Sequence, residues 1–224
     1  NIKTNKIVAK KQNIIFRNGI KENFFNKKKN IKTKSKLIKI IKKTLLEIEN
    51  KNTTLSSLNK NFEYLPEINK LKKFKKFKTI VIFGMGGSIL GAKSIYSFIK
   101  KTKKSMIFFD NLDLNIFDKI KKKNNLKSIL FIMISKSGNT LETLTNINLY
   151  KKNIFNKNNT IVITQNTKNP LNSFAKKFKI LNIEHRKYIG GRYSVLTEVG
   201  MIPAYLMNCD IRKFRKNLLS HFKN

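Results

Sequence analysis

Apolar residues along this chain fall into two regimes. Before about residue 65 they recur at helical spacing, and Leu37, Ile38, Ile41, Leu45 and Ile48 place one apolar stripe on a helix whose outer face is rich in lysine. From about Lys78 they come instead as short continuous runs. Those at 79–83, 106–109, 128–134, 160–164 and 180–183 read as five strands. The run at 128–134 shows no polar alternation, as a strand covered on both faces requires. The first run leads into a helix bearing Ile89, Leu90, Ile95, Phe98 and Ile99. Pro170 opens another helix, with Leu171, Phe174, Ala175 and Phe178 on one face. Such alternation predicts an α/β fold: a doubly wound, mostly parallel five-stranded sheet with right-handed crossovers, preceded by an N-terminal helical arm. Near the end come a helix containing Pro203, expected to kink there, and a last helix capped by Asp210 with Ile211, Phe214, Leu218 and Phe222 on one face.

Lys27-Lys28-Lys29-Asn30 and the stretch 50–61 read as loops, and Pro66 marks a boundary. The expected organisation is an arm of helices and loops over 1–69, one α/β domain over 70–210, and the start of a following helix over 211–224. The chain begins at Asn1 and ends within a helical pattern, so it is expected to be a piece of a longer protein.

Charge changes this picture less than its size suggests. The formal net charge is +37, which on its face points to nucleic acid. Yet the arginines are only Arg17, Arg186, Arg192, Arg212 and Arg215, and base-edge recognition leans on the planar guanidinium. Lysine is spread along the whole chain beside abundant Asn and Ile, all with A/T-rich codons, so a biased genome filling solvated faces explains it. A single cysteine, Cys209, excludes an internal disulfide framework and fits a reducing compartment. No apolar run approaches the ~18 residues of a membrane span. The expectation is a cytoplasmic protein with no nucleic-acid or membrane partner.

Seven of the nine glycines lie in three segments: Gly84-Met85-Gly86-Gly87-Ser88-Ile89-Leu90-Gly91, residues 135–143 around Gly138, and Gly190-Gly191-Arg192-Tyr193-Ser194. The first two follow strands and lead into helices, the arrangement by which α/β proteins present backbone N–H groups to anions. The first loop alone also suits a dinucleotide, and Asp110 stands where a ribose-binding acid would. The second loop is more informative. Ser135, Lys136, Ser137, Asn139 and Thr140 gather hydroxyls, amides and an ammonium around one glycine, a shell suited to a phosphate dianion and not needed by a nicotinamide.

Taken together, these segments resemble the glucose-6-phosphate isomerase family of the sugar isomerase (SIS) fold. Ser135-Lys136-Ser137-Gly138-Asn139-Thr140-Leu141-Glu142-Thr143 resembles the second SIS signature, and Gly190-Gly191-Arg192-Tyr193-Ser194-Val195 is the segment that sets this family apart from SIS regulators. The resemblance implies a flavodoxin-like topology. It implies that Gly87 and Ser88 line a sugar site, that Ser135, Lys136, Ser137 and Thr140 hold the phosphate, and that Gly191 and Arg192 sit at the reacting end. Arg192 would be the catalytic cation, stabilising a cis-enediolate between glucose 6-phosphate and fructose 6-phosphate. No cofactor or metal is implied, and the full-length protein is expected to be a homodimer. In the family, the glutamate base, the ring-opening histidine and a further lysine lie beyond this region, so the chain alone is expected to bind sugar phosphate and turn it over poorly. Glu142 and Glu198 read as structural residues at helix starts, and His185 and His221 as packing or exposed residues. The alternative is a stand-alone SIS module that senses a sugar phosphate.

Overall fold

The computed structural model describes residues 27–99, 102–123, 125–150, 154–216 and 218; Arg17, His221 and Phe222, considered above, lie outside these. The chain divides into two compact units, the first ending at Leu45 and the second beginning at Leu46. Helix α1 runs Lys27–Glu49. The lysine run at 27–30 is therefore its first turn and not a loop. Lysine is a good helix former, no Gly or Pro interrupts the run, and it continues into the apolar pattern. Of the expected stripe, Ile48 is buried, Ile41 and Leu45 are half-buried, and Leu37 and Ile38 are exposed. The stretch 50–61 is mostly turn but holds a 3-10 helix, Thr54–Leu58.

The second unit is built on five strands: β1 Thr79–Phe83, β2 Ser105–Phe109, β3 Ile129–Ile134, β4 Thr160–Thr164 and β5 Leu181–Glu184. They match the five apolar runs to within a residue at each end, because β-branched runs without polar alternation have few other places to go in a sheet with both faces covered. Strand order is β2-β1-β3-β4-β5 and every neighbouring pair is parallel. Around them lie α2 (Ile68–Leu71), α3 (Gly87–Phe98), α4 (Leu114–Lys123), α5 (Leu141–Asn148), α6 (Pro170–Lys177), α7 (Glu198–Leu206) and α8 (Ile211–Arg215). Asp210 caps α8 by accepting the Lys213 N–H, and Pro170 occupies the first turn of α6, as the sequence predicts.

Alternate residues of each strand feed two separate cores. Ile80, Ile82, Ile132, Ile134, Ile161 and Ile163 point to the face covered by α3 and α7, with Ile89, Ile95, Val199 and Ile202 against them. Val81, Phe83, Phe109, Phe131, Met133 and Val162 point to the other face, where Ile120 of α4, Ile147 of α5 and Leu171 of α6 close the layer. That second core is aromatic. Phe83 stacks on Phe109 at 5.0 Å, and Phe131 meets Phe155 edge-on at 5.0 Å. Right-handed crossovers explain the division. The chain moves outward from β1 to β2, then reverses to lay down β3, β4 and β5, so α3 falls on one face and α4, α5 and α6 on the opposite one.

Lys104, just before β2, is buried. Its ammonium donates to the Lys75 and Phe77 carbonyls, each at 2.5 Å, closing the end of the 3-10 helix Lys72–Lys76. Burial, with Lys75 nearby, holds its pKa below the usual lysine value. Lys104→Met keeps the stem but leaves both carbonyls without their donor. It should cost about 1–3 kcal/mol in a urea titration, and a change under about 0.5 kcal/mol would contradict this role.

Candidate functional site

In an open parallel sheet, ligands bind where neighbouring strands send their connections to opposite faces, because the two loops part and leave a crevice at the carboxyl ends. Here that point lies between β1 and β3. The loop after β1 carries Gly84, Gly86 and Gly87, and the loop after β3 carries residues 135–140. A methyl group on Gly84 would stand 3.2 Å from the Ile134 carbonyl, so the two loops start side by side.

The second loop is held by its own hydroxyls. Ser135 is buried, its Oγ accepts the Gly138 N–H at 3.1 Å, and it lies 2.8 Å from the Thr140 Oγ1. When the buried Ser135 donates to Thr140, the half-buried Thr140 keeps its own O–H for a ligand. Ser137 is exposed and its Oγ accepts the Asn139 N–H at 3.2 Å, which likewise leaves its proton available. Gly138 has φ +68, the left-handed region, and a Cβ there would run into the Asn169 side chain. Asn169 is itself fixed as the cap of α6, accepting the Asn172 N–H and donating to the Gln165 and Thr167 carbonyls. The N–H groups of the first turn of α5 open directly after Thr140, where Glu142 is half-buried in that turn.

The third segment forms a 3-10 helix, Gly191–Leu196, and packs onto the first loop. A Cβ on Gly87 would collide with the Gly191 carbonyl and the Arg192 nitrogen. The glycine is thus required by close approach of two backbones. Ser194 Oγ donates to the Gly191 carbonyl at 2.6 Å and reaches the Gly87 carbonyl at 3.4 Å. Ser88, half-buried, enters α3 one residue after this contact. All three glycine segments therefore meet at one place.

Several charged groups beside these loops act as braces. Arg186 donates to the Glu63 carbonyl and stacks on Phe62 at 4.3 Å. Arg215 donates to the Leu196 and Ser57 carbonyls and stacks on Tyr64 at 4.3 Å. Arg192 is exposed beside Gly191, and among the described residues it enters no ion pair. Lys136 donates to the Lys187 carbonyl at 2.7 Å and the Ile189 carbonyl at 2.9 Å, so its ammonium reaches across to the residues that lead into the third segment. Asp110 is taken up by Lys93 of α3 at 2.5 Å, which removes it from the ribose-binding role that a dinucleotide would need. Among the described residues no group of three or more His, Cys, Asp or Glu is placed to hold a metal.

Two buried titratable residues flank the third segment. Glu198, in the first turn of α7, is fully buried. Its Oε1 accepts the Arg186 N–H at 3.2 Å, and burial raises its pKa against the pull of those hydrogen bonds. His185 follows β5 and is fully buried, with its N–H continuing the ladder to the Thr164 carbonyl. Its Nδ1 lies 3.3 Å from the Arg186 carbonyl; a carbonyl only accepts, so Nδ1 carries the proton, and Nε2 has no partner among the described residues. Burial, outweighing that bond, pushes its pKa from 6.5 down to about 4. Burial of both residues was not legible in the sequence. A lone histidine between Glu184 and Arg186 carries no apolar pattern to announce it.

Sheet order, switch-point crevice and hydroxyl-lined loop together define an α/β domain of the sugar isomerase type. The chain belongs to the phosphoglucose isomerase family, whose description it matches over residues 31–219. It is 37% identical over 154 residues to the glucose-6-phosphate isomerase of Methanocaldococcus jannaschii, covering 67% of this chain and 38% of that protein. It is 34% identical over 212 residues to the probable glucose-6-phosphate isomerase of Methanococcus maripaludis, covering 90% of this chain and 46% of that one. Among solved structures, the glucose-6-phosphate isomerase of Chlamydia trachomatis superposes with a TM-score of 0.58 at 23% identity, over 70% of this chain and 32% of that chain. The chain thus spans less than half the length of these relatives.

Gly87→Ala should drive the third segment off the first loop and destabilise the chain by about 1–3 kcal/mol in denaturant titration; wild-type stability would refute the close packing. For His185 the folded state prefers the neutral ring. Its contribution is therefore fully present above pH 6.5 and is lost as pH falls from 6.5 toward 4. Unfolding free energies measured across that range should decline, and His185→Leu should flatten the decline. An equal decline in the variant would show that other groups set it.

Proposed function

We propose that this chain grips a hexose phosphate and supplies the charge-stabilising cation of an aldose–ketose isomerase that interconverts glucose 6-phosphate and fructose 6-phosphate. The observation that carries the reading is the meeting of the three glycine segments at the β1/β3 crevice, with an anion-ready loop on one side and, on the other, an exposed arginine that enters no ion pair among the described residues. The phosphate is bound by Ser137 and Thr140 through their free O–H groups and by the amides at the start of α5, on the loop that Ser135 braces. Gly87 and Ser88 line the sugar from the first loop, beside its contact with the third segment. Gly191 and Arg192 face the reacting carbons.

In the reaction a base removes the C2 proton of the open-chain aldose and the electron pair becomes the C1–C2 double bond. Negative charge then develops on the oxygens of the cis-enediolate, the O2 proton passes to O1, and reprotonation at C1 leaves the ketose carbonyl at C2. The Arg192 guanidinium stabilises that charge, a contribution of about 10²–10³ in rate for one well-placed donor. Neither Glu142 nor Glu198 is assigned the proton transfer. Glu198 is buried and committed to the Arg186 N–H, and Glu142 belongs to the first turn of α5. Residues 70–210 form the binding domain on this reading, and the whole enzyme is a cytoplasmic homodimer.

Calorimetric titration with fructose 6-phosphate tests the proposal. The chain should bind it saturably, inorganic phosphate should compete, and Ser137→Ala and Thr140→Val should each weaken binding about 10-fold or more, as for loss of a hydrogen bond to a charged group. No saturable binding, or affinity unmoved by both substitutions, would overturn it.

A further inference from the structure

Residues 186–190, which deliver Gly191 and Arg192 to the crevice, have every carbonyl partnered. The Arg186 carbonyl takes the Ile189 N–H and the His185 ring, the Tyr188 carbonyl takes the Thr54 hydroxyl at 3.0 Å, and the Gly190 carbonyl takes the Tyr193 N–H at 2.9 Å. The remaining two, those of Lys187 and Ile189, both depend on the Lys136 ammonium. Of the side chains that hold this segment, Lys136 is the one borne on the hydroxyl-rich loop. Its backbone is fixed there by the Gln165 N–H at 3.1 Å and sits between Ser135 and Ser137.

We infer that Lys136 is a positioning residue that couples the phosphate loop to the arginine segment, so that seating a phosphate on the loop sets the place of Arg192. The inference rests on the function proposed above. The ammonium spends two of its three protons on the carbonyls of Lys187 and Ile189. Serving as a direct phosphate ligand would require it to leave both acceptors. As a brace it instead transmits the loop's position over one side-chain length, with Arg192 three residues beyond the Ile189 carbonyl.

Two probes separate these roles. Inorganic phosphate engages the phosphate loop alone, whereas a five-carbon phosphosugar hydroxamate also presents two oxygens that mimic the cis-enediolate to Arg192. With Lys136→Met, phosphate affinity should stay within about 3-fold of wild type while hydroxamate affinity falls about 10-fold or more. Combined with Arg192→Ala, Lys136→Met should add little further loss, since both act on one interaction. Lys136→Arg, which keeps donors for two carbonyls, should restore most of the hydroxamate affinity. Parallel losses for both probes, or full additivity with Arg192→Ala, would overturn the inference in favour of direct phosphate ligation. Amide hydrogen exchange over residues 189–192 reads the brace without any ligand. It should quicken several-fold in Lys136→Met, and unchanged exchange would sink the inference. If wild type bound neither probe, the proposed function would fall, while the exchange comparison would still decide whether Lys136 holds the segment.

Discussion

The reversal of winding between β1 and β3 is the constraint on which the rest of this molecule depends. Both faces of the sheet are apolar, so each face needs its own helices. A right-handed chain can supply both faces only by changing direction once. That single change separates the loops after two adjacent strands and leaves backbone N–H groups of two connections facing one crevice. The aromatic core under α4, α5 and α6 and the aliphatic core under α3 and α7 are two results of the same reversal. The crevice is its third.

What turns a crevice into a site is the way its loops lean on one another. Close approach of Gly87 to Gly191 joins the first segment to the third, the Ser135–Thr140 pair shapes the second, and the Lys136 ammonium ties the second to the third. The protein carries a large excess of positive charge, yet most of the cations that matter structurally point at carbonyl oxygens and aromatic rings. Lys104, Arg186 and Arg215 each donate to backbone carbonyls of neighbouring segments, and the Phe77 carbonyl that Lys104 takes is buried. Arg192 is exposed and enters no ion pair among the described residues.

Much of the fold was legible because β-branched runs such as 79–83 and 160–164 have one comfortable home, the interior of a parallel sheet. The loop chemistry was legible because glycine is scarce in this chain and polar residues around it are informative. The first turn of α1 was not, since a lysine run reads equally as a solvated loop or as a helix face, and only the continuing helix decides. Nor was α4 singled out, whose apolar residues Ile116, Phe117 and Ile120 are diluted by lysine. The partners of Lys136 lie 51 and 53 residues further on, and no local pattern joins positions so far apart. Burial of His185 and Glu198 likewise follows from tertiary placement at the end of β5 and the start of α7.

Gly138 and Asn169 show how far such a site extends beyond the residues that would touch a ligand. The left-handed turn at Gly138 packs against the Asn169 side chain, which fills the space a Cβ would take, and Asn169 is fixed by the cap of α6 and by the carbonyls after β4. The anion-ready loop is therefore not a portable cassette. Grafting residues 135–140 onto another α/β scaffold would transplant the letters without the wall behind them. A designer wishing to move this grip would have to carry the β4–α6 connection with it as a single heritable unit.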